Sequence, residues 1–357
     1  MRKKRFGILT AGGDCPGLNA AIRAIVKTAH QQYDMEAIGF QHGYKGILDR
    51  DYSVLTPDKV SGILTVGGTI LGTSREKIFK NEPGDERDKP GIIREVYDEL
   101  GLECLVVLGG NGTNKKAYLL QEAVGINVIG LPKTIDNDIV GTEQCFGFSS
   151  AVTIATEAID RIHTTAHSHN RIMVIELMGH HAGWLALYAG VSGGGDVILL
   201  PEIPYDIQCV AKAINKRAQQ GKEFSIVVVA EGALSIRESK MEKSKLKQYL
   251  SRRPSAGYRV ARAIERATGL ESRITVLGYV QRGGTPNAWD RILSTKMGSY
   301  AAEMLFREEY GRMVALIDGK IDSVDLAIVA DKIRYVDEDD RILIAARSIG
   351  TCLGVEA

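Results

Sequence analysis

The chain has few cysteines, no long apolar run and no excess of charge of either sign, and each shortage closes off a class of function. Its five cysteines, Cys15, Cys104, Cys145, Cys209 and Cys352, are scattered and odd in number, with no CxxC pair and no zinc-like spacing. Such a set fits reduced thiols rather than a disulfide framework, and points to a cytoplasmic location. Although 44% of the 357 residues are hydrophobic, no uninterrupted apolar run approaches the roughly 20 residues that a membrane helix needs. The basic start Met1-Arg2-Lys3-Lys4-Arg5 has the charge of a signal n-region, but the apolar run behind it breaks at Ala11-Gly12-Gly13-Asp14, so no targeting segment is expected. Lysine and arginine number 45 against 44 acidic residues, a formal +1, which offers neither nucleic acid nor an anionic membrane a global field to follow.

What is present is a chain long enough for two or three domain-sized units with a large core. Short β-rich apolar runs recur at 5–9, 104–108, 126–131, 171–177, 196–200, 224–230 and 273–279, as expected of strands buried on both faces. Helical patterns lie between them at 16–30, 114–124, 148–168, 205–220 and 287–309. This alternation predicts an α/β fold of two doubly wound domains, with parallel-rich sheets and an active-site cleft between them. The charged stretch 237–253 (RESKMEKSKLKQYLSRR) interrupts the pattern and reads as a solvated helix or surface insertion.

Two glycine turns have the make-up of anion sites. FGILTAGGDCPGLNAAIRAIV runs from a strand through Gly12-Gly13-Asp14 into a helix opened by Pro16, and LVVLGGNGTNKKAYLL carries Gly109, Gly110 and Gly112 ahead of a helix at Asn114. Neither matches the GxxxxGK[ST] P-loop or the GxGxxG dinucleotide fingerprint. After the apolar run 126–131 comes Pro132-Lys133-Thr134-Ile135-Asp136-Asn137-Asp138. Phosphoryl transfer to an alcohol needs a carboxylate to take the hydroxyl proton and cations to neutralise phosphate, and this heptapeptide can supply both.

In chain order the sequence shows GGDCPGLN (12–19), GGNGT (109–113), PKTIDND (132–138), SHNR (168–171), MGH (178–180) and LGYVQRGG (277–284). With these six motifs, from about residue 5 to about 320, it resembles the phosphofructokinase family. The resemblance implies transfer of the ATP γ-phosphoryl group to the 1-hydroxyl of fructose 6-phosphate, with Mg2+ as cofactor. It makes Asp136 the base, with Thr134 and Asp138 holding the sugar and polarising the transfer, and Lys133 in the same catalytic segment. Donor contacts fall on Gly13, Arg75, Glu76, Gly110, Asn111, Gly112 and Thr113, with Lys80 near them. Sugar-phosphate contacts fall on Arg171, Met178, Gly179, His180, Glu231, Arg273, Tyr279 and Arg282. Residues 1–147 plus about 281–331 would form the donor domain, and about 148–280 plus 332–357 the sugar-phosphate domain. Arg171 and Arg273 would complete a neighbour's site, which implies a homo-oligomer, a tetramer, with shared active sites.

The chain departs from the family pattern at three positions. Asn111 stands in place of an aspartate associated with magnesium, His180 in place of the MGR arginine, and Tyr279 in place of a histidine. The donor code is mixed as well: Gly112 is nucleotide-like, whereas Lys133 is pyrophosphate-like. ATP is the donor expected, because Gly112 governs steric access to the α-phosphate. The alternatives are a pyrophosphate-dependent enzyme, a sedoheptulose 7-phosphate kinase and a catalytically silent sugar-phosphate-binding homologue. The effector pocket of bacterial members is matched in part, by Arg23, Lys27, Arg161 and Glu202, with Gln220 replacing a basic residue. A zinc site on His163, His167, His169, His180 and His181 lacks the cysteines or carboxylates to complete it, and a lipid or NAD kinase would lack the TIDND and QRGG motifs.

Overall fold

The structure is a computed structural model that describes residues 3–81, 84–169 and 171–356. Asn170 of the SHNR motif and Met1-Arg2 of the basic start lie outside the described residues. The strands are β1 Arg5–Ala11, β2 Glu36–Phe40, β3 Tyr52–Leu55, β4 Leu102–Gly109, β5 Val128–Thr134, β6 Phe146–Gly147, β7 Ile172–Leu177, β8 Val197–Leu199, β9 Ser225–Ala230, β10 Ser272–Val276, β11 Arg312–Ile317 and β12 Lys320–Asp325. The chain divides into two compact units. One is Met1–Ile135, Ile139–Ser150 and Arg282–Ile333; the other is Asp136–Asp138, Ala151–Gln281 and Arg334–Ala357.

In the first unit the sheet order is β12-β11-β5-β4-β1-β2-β3, with β6 beside β5. The central strands run parallel, and β3 and β12 close the edges antiparallel. Runs such as LECLVVLG bury seven of eight residues because helices cover the sheet, so they carry no polar alternation. Close packing leaves no room for a side chain at Gly7, where a Cβ would meet Leu105 and Phe40 at 2.8 Å. From β1 the chain turns first to β2 and β3 on one side and then to β4 on the other, which makes the β1/β4 boundary a topological switch point.

The second unit holds a parallel sheet of order β10-β7-β9-β8. Its switch point lies between β7 and β10. Helix Ala256–Thr268 turns Ala256, Gly257, Val260, Ala261 and Ile264 inward, onto a core that includes Val174, Val227 and Val229.

The α/β class follows the sequence pattern, but several boundaries move. The first helix begins at Leu18 instead of Pro16, because Gly17 takes the left-handed φ of 103° that sets its entry. The helix expected at Asn114 begins at Asn111, so Asn111, Gly112 and Thr113 form its first turn. The run 273–279 ends as a strand at Val276, and Tyr279 sits in a 3-10 turn at Gly278–Arg282. The short strands β2 and β3, the hairpin β11–β12 and helices Lys89–Leu100 and Trp184–Ser192 escaped the sequence reading. The stretch 237–253 falls largely in two helices, Ile236–Ser239 and Lys243–Ser251, the second burying none of its residues.

Candidate active site

In the first unit the strand register brings three motifs together. Ala11 pairs with Gly109, and Gly109 pairs with Pro132, so GGD, GGNGT and PKTIDND leave adjacent parallel strands at the same end. Ligands of open α/β sheets bind at this end and at this kind of boundary. Gly12, at φ 84°, turns the chain out of β1; its N–H donates to the Ser74 carbonyl at 3.1 Å, and its own carbonyl accepts from Thr73 Oγ1 at 2.6 Å. The GTSRE segment is thereby tied to the GGD turn. Glu76 is held in turn by the buried ammonium of Lys89 at 2.8 Å, while its carbonyl accepts from Lys116 at 2.7 Å. Burial lowers the pKa of Lys116.

Helix Asn111–Val124 presents its N-terminus where β4 ends, and such a terminus attracts anions through its amides and dipole. Thr113 Oγ1 donates to the Ala11 carbonyl at 3.3 Å, which ties this helix to the end of β1. A Cβ built on Gly112 would meet none of the described atoms within 4 Å, so the helix start borders open space. Two cations converge on the GGD turn. Lys133, only 3% exposed, donates its ammonium to the Gly13 carbonyl, and Arg282 Nη1 donates to the Asp14 carbonyl at 3.3 Å. The Arg282 guanidinium occupies the space that a Gly13 side chain would need. Arg282, linked by the resemblance to the sugar phosphate, belongs to the first unit and lies against the GGD turn. Buried Cys15 has its thiol pKa pushed up to about 12 by desolvation, so it is no nucleophile.

In the second unit the loops after β7, β9 and β10 leave neighbouring strands, since Leu177 pairs with Ala230 and Val276 with Glu176. These loops carry Met178-Gly179-His180, Glu231 and Tyr279. Gly179 takes φ 124°, and the Met178 N–H donates to Gln281 Oε1 at 3.3 Å. The His180 and His181 rings meet edge to face at 4.6 Å. Desolvation lowers the His181 pKa, with His180 adding to the shift and Asp136 opposing it. Desolvation also raises the Glu231 pKa, reinforced by Asp136 and opposed by His180. Asp136, His180, His181 and Glu231 therefore form one electrostatic group. Tyr279, 78% exposed, points into solvent.

The TIDND carboxylates rest on a support that the sequence reading missed. Asn137 takes φ 51°, and Asn137 and Asp138 are buried. The Arg334 N–H donates to the Asp138 carbonyl at 2.8 Å, and its guanidinium donates to the Asn137 carbonyl at 3.4 Å. That guanidinium lies 4.2 Å over the Trp184 ring, whose Nε1 donates to the Arg334 carbonyl at 2.9 Å. No motif surrounds Arg334 in the sequence, so only the fold could reveal it. The sequence offers His181 only as a zinc ligand, although its place beside His180 is a readable signal.

Arg171 and Arg273 share one carboxylate: Glu271 accepts from Arg171 Nε at 2.8 Å and pairs with Arg273 Nη2. Glu202, matched to the effector pocket, is engaged inside the second unit, accepting from the Gly183 N–H at 2.9 Å and the Val336 N–H at 3.0 Å. His163 and His167 pack on Phe224 at 4.9 and 6.0 Å; the side chain of His169 lies outside the described residues. No group of three or more His, Cys, Asp or Glu among the described residues can cage a metal ion.

Two parallel-sheet units and glycine turns without a P-loop define an α/β protein of the non-P-loop kind. The chain belongs to the phosphofructokinase family, whose family model, described as Phosphofructokinase, matches residues 5–305. It is 59% identical over 98% of both chains to a protein of Spirochaeta thermophila named ATP-dependent 6-phosphofructokinase. A Bacteroides thetaiotaomicron protein named ATP-dependent 6-phosphofructokinase 3 is 51% identical, with 98% of this chain and all of that one covered. Among solved structures, phosphofructokinase from Saccharomyces cerevisiae matches with a TM-score of 0.80 at 31% identity over 91% of this chain; the match spans 45% of the yeast chain.

Proposed function

We propose that this protein is an ATP-dependent 6-phosphofructokinase, which transfers the γ-phosphoryl group of ATP to the 1-hydroxyl of fructose 6-phosphate in glycolysis. The observation that carries the reading is the shared end of β1, β4 and β5, where two glycine turns, a helix N-terminus, Lys133 and Arg282 gather around a place for phosphates. The near full-length relatives named as ATP-dependent enzymes supply the donor.

In this reading the first unit takes the donor. Backbone amides at Gly13, Gly110, Asn111 and Gly112 receive its phosphates, next to Thr113, whose own N–H donates to the Gly110 carbonyl at 3.0 Å, and Arg75 neutralises the transferring group. The second unit takes the sugar. Of that unit's residues, Asp136 accepts the proton of the 1-hydroxyl, Asp138 orients the acceptor together with Thr134 of the same heptapeptide, and Glu231 receives sugar hydroxyls. Met178, Gly179 and His180 line the sugar side, and Arg171, Arg273 and Tyr279 address the 6-phosphate. Mg2+, which favours phosphate oxygens and water with one or two protein ligands, would be held by Asn111, Asp136 or Asp138 and supplies charge neutralisation. The shared Glu271 keeps Arg171 and Arg273 together as a paired cation, suited to the phosphate of a neighbouring subunit in a cytoplasmic homotetramer. No helix among the described residues is long and apolar enough to cross a membrane.

Lys133 favours a second reading, pyrophosphate as donor. Its engagement with the Gly13 carbonyl supports ATP, since it braces the turn from within. A coupled assay should give fructose 1,6-bisphosphate with Mg-ATP and little with pyrophosphate. The reverse preference overturns the donor, and binding of fructose 6-phosphate without turnover on either donor overturns the kinase reading.

A further inference from the structure

The basic stretch 237–253, which no motif claims, forms part of a cavity of about 730 Å³ in the second unit. That volume lies in the range that takes small-molecule ligands. Arg237 and Lys240 come from helix Ile236–Ser239 and its cap, Tyr249 and Arg253 from the end of helix Lys243–Ser251, and Arg259, Arg262 and Arg266 from helix Ala256–Thr268. The three arginines follow i, i+3, i+7 spacing, so they share the face opposite the buried residues of that helix.

Two acids line the cavity, and both are engaged within the fold. The Asp206 carboxylate caps helix Ile207–Gln219 by accepting from the Gln208 N–H at 2.9 Å. Glu238 closes a capping box with Ser235, and its other oxygen pairs with Arg259 at 3.1 Å, both side chains being nearly buried. Among the described residues, Arg237, Lys240, Arg253, Arg262 and Arg266 form no ion pair, although Arg253 lies 4.8 Å over the Tyr249 ring. Five cations thus face one cavity in a chain whose formal charge is only +1. Like charges one helical turn apart, as at Arg262 and Arg266, repel. A bound polyanion relieves that repulsion, and guanidinium forks meet phosphate oxygens in pairs.

We propose that this cavity binds a small ligand carrying two or more phosphate groups, using none of the residues assigned to the reaction. The recognised chemistry is the phosphate chain, whether free or borne by a nucleotide. The proposal does not rest on the reaction catalysed, so a failed kinase assay leaves it in place.

Isothermal titration of the full-length protein at physiological salt tests it, with inorganic tripolyphosphate and GTP as probes. Arg262→Gln/Arg266→Gln should weaken the binding of whichever probe occupies the cavity at least tenfold, whereas Lys59→Gln/Arg307→Gln, an equal loss of charge elsewhere, should leave it unchanged. Loss of both probes assigns recognition to the phosphates alone. If GTP alone binds and is lost, the nucleotide is the ligand and Tyr249 offers its base an aromatic face. The proposal is overturned if neither probe binds, or if binding is equal in the wild type and the cavity variant. It is also overturned if the cavity variant instead changes the oligomeric state with probe binding intact, because the patch would then face a second copy of the chain.

Discussion

Among single side chains, Asp136 stands apart because its charge reaches His181 and Glu231 while its backbone neighbours Asn137 and Asp138 are pinned by Arg334. A general base contributes roughly 10²–10⁴-fold to rate. Asp136→Ser should therefore cut kcat by about that factor while leaving the dissociation constant for fructose 6-phosphate nearly unchanged, measured by steady-state kinetics beside equilibrium binding. Full activity in that variant removes Asp136 as the base. The candidacy of Asp136 was readable because two carboxylates, an amide and a hydroxyl crowd into seven residues after an apolar strand. The support from Arg334 was not, because a lone arginine some 200 residues away becomes a partner only through folding.

Secondary-structure elements decide what the glycines do. Helix Asn111–Val124 starts three residues earlier than its sequence pattern suggested, which turns Gly112 from a loop residue into part of a helix N-terminus beside open space. The pattern is silent there because GNGT carries no apolar periodicity to mark a first turn. A carboxylate in that turn suits the helix dipole yet opposes donor phosphates. Gly112→Asp should accordingly leave the melting temperature unchanged or raised, while the KM for ATP rises at least tenfold. An unchanged KM with a normal fold would show that no donor phosphate passes this position. The edge strands β3 and β12 were missed for a related reason: half exposed to solvent, they mix polar and apolar residues and lack the continuous apolar run of a central strand.

Across the whole molecule, buried carboxylates tie stability to pH. Desolvation raises the pKa of Glu202 even though it accepts backbone hydrogen bonds from Gly183 and Val336. A carboxyl whose folded pKa lies above its unfolded value contributes stability that is full below the unfolded value, about 4.3, and lost as pH rises through the folded one. Relative to Glu202→Gln, which keeps one acceptor oxygen without the charge, the wild type should thus lose melting temperature as pH rises from about 4 toward neutrality. Parallel melting curves across pH would refute this. Sedimentation velocity should give the mass of four chains; a monomer with full activity would exclude the shared-site role of Arg171 and Arg273.

The sequence by itself determined the α/β class and the family, because short, unbroken apolar runs mark central parallel strands and because motif order survives without coordinates. It also placed the glycine turns and the charged PKTIDND segment at strand ends. Tertiary structure alone decided which of them meet. Register across β1, β4 and β5 sets GGD beside GGNGT and PKTIDND, the fold carries Arg334 under the TIDND turn, and one carboxylate, Glu271, gathers two arginines 102 residues apart in the chain. The reason is physical: local sequence encodes propensity and burial period, whereas the pairing of charges from distant segments exists only once the backbone has closed around them.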